Sequence, residues 1–245
     1  MDKDKFWQMI DDAREKGNGD WRKMYKPLRE ALSKLDKSDI LHWQLIFNEY
    51  QKHSDKPLIA SVAALINDGI SDDGFWDFRG WLIAQGEDVY FSTLANPDSL
   101  SNHPAIYEFI LEKNSTPFEP MSGFKNRPQF EAMLYIAAYA YEDKTGNRDD
   151  YYNRRDNNSL TVNEKDSIIA ELKFAKNINE RPERADSKLT LEKSFPRLHA
   201  LVSREFTAGK NRSRQVSAIQ KIKHHTKEQP QHRKVNEQKK GGPER

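Results

Sequence analysis

The sequence contains no cysteine among its 245 residues. Disulfide bonds, zinc sites built from thiolates and cysteine nucleophiles are therefore excluded, so any chemistry must come from carboxylates, histidines, hydroxyl groups or backbone amides. Long apolar runs are also missing, since no stretch approaches the roughly 18 residues that a membrane-spanning helix needs. The first residues, MDKDKFWQMIDDAREK, are charged where a signal peptide would be apolar. We therefore expect a cytoplasmic protein without a membrane partner.

The net charge is small, at +2, but it conceals an uneven distribution. Residues 204–245 contain twelve Lys and Arg against four Asp and Glu, whereas residues 1–203 contain 28 against 34. Within the acidic part, the segment 57–112 holds nine acidic residues and a single base, Arg79. The sequence thus predicts an acidic body with a basic tail. Such a tail either stays solvated or contacts a polyanion such as nucleic acid.

Runs of alternating apolar and polar residues, which indicate half-buried strands, are scarce, and apolar residues recur instead at helical spacing. We predict an all-α fold. It comprises a compact multi-helix domain at 1–115, a proline-rich connector at 116–128, a short helical extension at 129–180 and a mostly disordered basic tail at 181–245. The helix over 40–50 is apolar round most of its circumference, so we expect it in the core.

The most distinctive segment is GISDDGFWDFRGWLIAQGED, at residues 69–88. Ser71 is placed as the N-cap of a helix, because its hydroxyl can accept a hydrogen bond from a free N–H of the first turn. Asp72 and Asp73 then fall in that first turn, where the helix dipole favours negative charge. The segment therefore predicts a helix that begins with a strong acidic cap.

The same segment supplies the possible site residues, and two interpretations are open. In the functional one, Asp72 or Asp73 acts as a general base or cation ligand, and Arg79 orients an anion. In the structural one, the acids stabilise the helix end, Arg79 is their internal partner, and the aromatic side chains are core. The residues concerned are Asp72, Asp73, Asp77, Arg79 and Trp76.

Histidine pairs at metal-binding spacing are absent, since His42, His53 and His103 each stand alone. Glycine-rich phosphate loops and the G-x-S-x-G and H-E-x-x-H motifs are absent too. The sequence therefore predicts no metal site and no cofactor. Non-enzymatic binding is the favoured function, and an enzyme or ligand-binding domain using the acidic and aromatic segment is the alternative.

A second alternative is nonspecific binding of nucleic acid through the tail. Lysine and arginine can neutralise phosphates with weak affinity that falls steeply as the salt concentration rises. The basic residues proposed for this role are Arg212, Arg214, Lys221, Lys223, Arg233 and Lys234. A protein partner is equally open, because the amphipathic helices predicted at 129–143 and 162–175 expose apolar stripes that a partner could cover.

Three blocks of the sequence, DKDKFWQMIDDAR, SDDGFWDFRGWLIAQGEDVY and LANPDSL, together resemble the bacterial domain of unknown function 4240. The resemblance covers residues 1–112 and implies a small helical domain. It implies no activity, because that family has no assigned reaction. A further segment, DYYNRRDNNSLTVNEKDSIIAELK at 150–173, is similar to linker and helix segments of multi-domain proteins encoded on conjugative mobile elements. That similarity implies an association with a mobile element.

Overall fold

A computed structural model describes residues 1–116, 120, 123–175 and 188–203. Over these residues the secondary structure is helical, with no strand, which confirms the all-α prediction. No helix in the described ranges is long and apolar enough to cross a bilayer. The α-helices are α1 (Lys3–Lys16), α2 (Tyr25–Ser33), α3 (Lys37–His53), α4 (Pro57–Asn67), α5 (Asp72–Ala84), α6 (Glu87–Ala95), α7 (Pro104–Ser115), α8 (Glu131–Thr145), α9 (Arg148–Asp156), α10 (Val162–Ala175), α11 (Lys188–Ser194) and α12 (Pro196–Val202), with a 3₁₀-helix at Pro97–Asn102 between α6 and α7.

Helix α3 lies in the core, as its apolar circumference predicts. Trp43 and Phe47 are buried and stack with their ring centroids 5.6 Å apart, while Phe6 of α1 packs against Trp43 at 5.0 Å. Tyr50 is also buried, and its carbonyl accepts a 2.6 Å hydrogen bond from the hydroxyl of Tyr90 in α6. Aromatic pairs of this kind add to the free energy gained from burial alone, so α3 joins α1 and α6 in one core.

Side-chain hydrogen bonds cap two helix starts, the one predicted at Ser71 and a second at Thr161, where Glu164 stands three residues later at the spacing of a capping box. The hydroxyl of Ser71 accepts a 3.1 Å hydrogen bond from the backbone N–H of Gly74, so Ser71 is the N-cap of α5. At the start of α10, the carboxylate of Glu164 accepts from the backbone N–H of Thr161 at 2.7 Å, and the Thr161 hydroxyl accepts in turn from the N–H of Glu164 at 3.3 Å. Both caps satisfy N–H groups that a helix end leaves free.

Helix α8 follows the proline-rich segment 116–128, yet it packs against α2, α3 and α5. The backbone N–H of Phe130 donates a 2.9 Å hydrogen bond to the carbonyl of Asp77 in α5. Gly80 permits this approach, because a Cβ there would lie 3.2 Å from the carbonyl oxygen of Phe130 and 3.4 Å from a methyl carbon of Leu134. The division at 116–128 stays a prediction as a domain boundary, but α8 shares its core with the N-terminal helices.

The C-terminal helix α12 is attached through a buried carboxylate. Asp98, in the 3₁₀-helix, is 4% exposed and accepts hydrogen bonds from the N–H of Leu198 at 2.8 Å and from Nε and N–H of Arg197 at 3.0 and 3.3 Å. Helices α11 and α12 thus lie inside the range 181–245 that the sequence predicts to be mostly disordered. The six basic residues proposed for nucleic-acid contact lie outside the described residues.

Candidate functional site

A groove of about 640 Å³ lies between α3, α5, α8 and α9. Residues three or four positions apart share one face of a helix, so each helix contributes a short stripe of side chains to the groove. The stripes are Gln44, Phe47 and Asn48 from α3, Asp73, Trp76 and Asp77 from α5, Glu131, Leu134, Tyr135 and Ala138 from α8, and Tyr151, Tyr152 and Arg155 from α9.

One end of the groove is acidic. Asp73 and Asp77 come from the first half of α5, and Glu131 is the first residue of α8. The hydrogen bond between the backbones of Asp77 and Phe130 holds these two helices together at this point. None of the three carboxylates forms an ion pair or hydrogen bond with another side chain in the described part of the chain. The acidic end therefore carries negative charge that nothing described neutralises by direct contact.

The pKa of Asp77 records this environment. It is raised from 3.8 to about 6, chiefly by burial and also by the charges of Glu131 and Asp73, while the charge of Arg127 opposes the rise. A carboxylate with a raised pKa favours the binding of a cation, because the cation stabilises the charged form of the carboxylate. Among the described residues, no three histidine or carboxylate side chains converge closely enough to hold a metal ion, so the acids line the groove without forming a common ligand set.

Two large aromatic side chains are exposed beside the acidic end. Trp76 is 51% exposed and Tyr135 is 45% exposed, and both line the groove. The prediction that Trp76 belongs to the core is therefore wrong. Aromatic residues occur on several sides of α5, so the sequence pattern does not show which side faces the core. Helix α8 packs against α5 at Gly80, and this leaves Trp76 at the groove. Exposed aromatic surface of this kind is typical of interaction sites.

Arg79 lies behind Trp76 and is 2% exposed. Its Nη1 donates a 3.0 Å hydrogen bond to the carbonyl of Gln51 and lies 3.3 Å from a carboxylate oxygen of Asp55. The guanidinium carbon is 4.5 Å from the centre of the Trp76 ring and 4.6 Å from that of Phe75. Burial lowers the pKa of Arg79, and the charge of Asp55 opposes that effect. Arg79 therefore supports the Trp76 ring from the side that faces the protein.

The predicted site residues differ in whether they line the groove. Asp72 is exposed and does not line the groove, whereas Asp73 lines it. The prediction that Arg79 is the internal partner of the acids in the first turn is wrong, since Arg79 pairs with Asp55 of the turn after α3. Of the five predicted site residues, three thus reach the groove, one supports it from behind and one lies outside it.

A polar side chain that sequence reasoning missed lies in the α3 wall of the groove. Gln44 is 4% exposed, and its Nε2 donates a 2.8 Å hydrogen bond to Oδ1 of Asn48. Its Oε1 is buried without a hydrogen-bond partner among the described residues. An unpaired buried acceptor costs about 1–3 kcal/mol, so a donor brought by a ligand would be favoured there. Glu131, Tyr135 and Arg155 were missed as well, because no local pattern links them to α5.

The fold and the groove define a helical domain with an open polar and aromatic groove between its helices. The chain belongs to the family described as protein of unknown function (DUF4240), whose model matches residues 1–143. The match confirms the resemblance carried by the N-terminal blocks. It also runs beyond residue 112 through most of α8, so the α8 wall of the groove belongs to the family region, whereas α9 follows it. No curated protein and no solved structure gives a match.

Proposed function

We propose that this protein is a non-enzymatic binding module whose ligand lies in the groove and combines a positive charge with apolar or aromatic surface. The observation that carries the proposal is the juxtaposition, in one groove, of three carboxylates with the exposed rings of Trp76 and Tyr135. The carboxylates favour a cation, and the rings favour an apolar group. A ligand with only one of these features would leave half of the groove unused.

The expected affinity for a small ligand is weak. A ligand that covers roughly 200 Å² of apolar surface gains at most about 5 kcal/mol from burial. Ion pairs at a partly exposed site add about 1 kcal/mol each, and association costs several kcal/mol in lost freedom. With an association cost of at least about 4 kcal/mol, the balance is about 4 kcal/mol or less, which corresponds to a Kd of about 1 mM or weaker.

Catalysis receives less support from the geometry. Of the two predicted general bases, Asp72 lies outside the groove and Asp73 lines it at an exposed position, and Arg79 is too deeply buried to orient an anion there. Asp77, with its raised pKa, favours an enzyme, since carboxylates of this kind serve as acid and base catalysts. Burial and the neighbouring charges of Glu131 and Asp73 account for this pKa without a catalytic role, whereas the exposed rings of Trp76 and Tyr135 favour binding.

The test is a titration of the full chain with phenethylammonium, which joins an ammonium group to an aromatic ring, followed through the NMR signal of the Trp76 indole N–H. We expect the signal to shift, and we expect Asp77→Asn to weaken binding by about tenfold, or about 1.4 kcal/mol. Asp72→Asn is the matched control, because Asp72 is an acid of the same helix outside the groove. An unshifted signal, or equal effects of the two substitutions, would overturn the proposal.

Nucleic-acid binding by the tail is a second candidate, favoured by the excess of twelve basic over four acidic residues in 204–245. Its test is fluorescence anisotropy of labelled single-stranded DNA against the full chain and a variant in which the six basic residues named above are glutamine, at two salt concentrations. Each lost phosphate contact should reduce the salt slope by about 0.7. Unchanged binding by the variant would remove this role from the six residues.

A protein partner in the cytoplasm is the setting we propose for the module. The association with a mobile element stays a prediction that depends on the segment 150–173. Both predictions would be tested by identifying the proteins that copurify with the full chain but not with its Trp76→Ala variant. That substitution removes exposed surface of the groove.

A further inference from the structure

The length of the groove fits a short stretch of polypeptide. Along α8 the lining runs from Glu131 to Ala138, a stretch of eight residues that spans about 10 Å of helix. An extended polypeptide advances about 3.3–3.6 Å per residue, so this distance matches about three residues of a ligand chain. A ligand of that length would reach from the acidic end to the side chains that α9 contributes.

Arg79 restricts which kind of ligand group can pack against the Trp76 ring. The guanidinium of Arg79 is 4.5 Å from the ring centre and occupies one face. A second cation on the other face would be repelled by the first across the ring, so an apolar or aromatic group is favoured there. The cation of the ligand therefore belongs at Asp73, Asp77 and Glu131. Charge and apolar surface must then come from different groups of the ligand.

Gln44 supplies an independent observation that points to the same ligand. Its Oε1 is an acceptor without a partner in the described part of the chain, in a side chain that is 4% exposed and lines the groove. Asn48 provides a neighbouring amide, already joined to Gln44 by a 2.8 Å hydrogen bond. A backbone N–H of a peptide is the donor that such an amide can pair with, whereas a small amine held by the carboxylates would leave Oε1 unpaired.

From these three features we propose that the ligand is a polypeptide segment of about three extended residues. A Lys or Arg side chain lies at the acidic end, an aromatic or aliphatic side chain lies between Trp76 and Tyr135, and a backbone N–H donates to Oε1 of Gln44. This inference rests on the proposed function and names the partner class for the same groove.

The test compares two probes on the full chain, with the Trp76 indole signal as the readout. The first is the blocked tripeptide acetyl-Lys-Phe-Leu-amide, and the second is phenethylammonium, which lacks a peptide backbone. We expect the tripeptide to bind at least about tenfold more tightly. Gln44→Leu should weaken binding of the tripeptide by about tenfold and should have a clearly smaller effect on phenethylammonium. The substitution removes the unpaired Oε1 from a buried position, and the Asn48 amide that loses its donor is exposed to water, so the fold should stay intact.

Gln8→Leu is the matched control, because Gln8 is an exposed glutamine of α1 that does not line the groove. Equal binding of the two probes, or a Gln44→Leu variant that binds the tripeptide like wild type, would overturn the polypeptide inference and leave the binding module with a small amine as its ligand. Failure of both probes to bind wild type would overturn the proposed function itself.

Discussion

Helix α5 carries two tryptophans, one that packs in the core and one that lies at the groove. Trp81 is fully buried, with its ring centre 5.4 Å from that of Phe78, whereas Trp76, five residues earlier, is 51% exposed at the groove. Composition alone does not distinguish these tryptophans, since both lie in the same aromatic-rich helix. The contrast teaches that hydrophobicity locates this helix but does not decide which side faces the core.

Carboxylates show a parallel contrast. Asp98 is 4% exposed and accepts hydrogen bonds from Arg197 and Leu198, so its charge is compensated by donors within the protein. Asp77 is half-buried and its carboxylate has no donor among the described residues, and its pKa is raised to about 6. Polar groups that hold a fold together are hydrogen-bonded, so an unpartnered one in a groove is the better candidate for function.

The largest expected effect distinguishes the two tryptophans. Trp81→Ala should lower the free energy of unfolding by about 3–5 kcal/mol, because it leaves a cavity in the core. Trp76→Ala should cost less than about 1 kcal/mol, because half of that side chain is already in solvent. Urea denaturation measures both. Equal losses would show that the two sides of α5 are assigned wrongly.

A smaller loss is expected at the helix start. Ser71→Ala leaves the N–H of Gly74 without its acceptor and should cost about 0.5–2 kcal/mol. The loss should appear in the melting temperature while phenethylammonium still binds, since Ser71 does not line the groove. Ser92→Ala, in α6, serves as a control because the hydroxyl of Ser92 caps no helix and donates to the carbonyl of Val89 instead. A Ser71→Ala variant that melts like the control would contradict the cap.

The smallest expected effect is the pH dependence at Asp77. The folded protein raises the pKa of this carboxyl from 3.8 to about 6, so folding favours its protonated form. Stability from this source is fully present below pH 3.8 and is lost as the pH rises through about 6. Asp77→Asn removes this dependence.

The free energy of unfolding of Asp77→Asn, relative to wild type, should therefore rise by roughly 0.5–1 kcal/mol across that interval, once solvent screening is allowed for. Denaturation at each end of the interval measures it, with Asp72→Asn for comparison. Parallel pH profiles for wild type and Asp77→Asn would show that Asp77 titrates normally.

Much of the local structure could be read from the sequence. The Ser71 cap, the pairing of Thr161 with Glu164 and the buried α3 all follow from residues within a few positions of each other, because helix starts and amphipathic faces are set by local hydrogen bonds and spacing. The sequence blocks that identified the family lie within the matched residues 1–143. These features needed no knowledge of how the helices pack.

The groove forms only through the packing of helices that are far apart in the sequence. Gln44, Asp77, Glu131 and Arg155 come from four different helices, and no periodicity relates positions so far apart in the chain. They meet because α8 approaches α5 where Gly80 has no side chain, an approach set by packing between helices. Local sequence features therefore specify which segments are helical and which of these are acidic and aromatic. The packing of α8 determined that Trp76 faces solvent beside those acids.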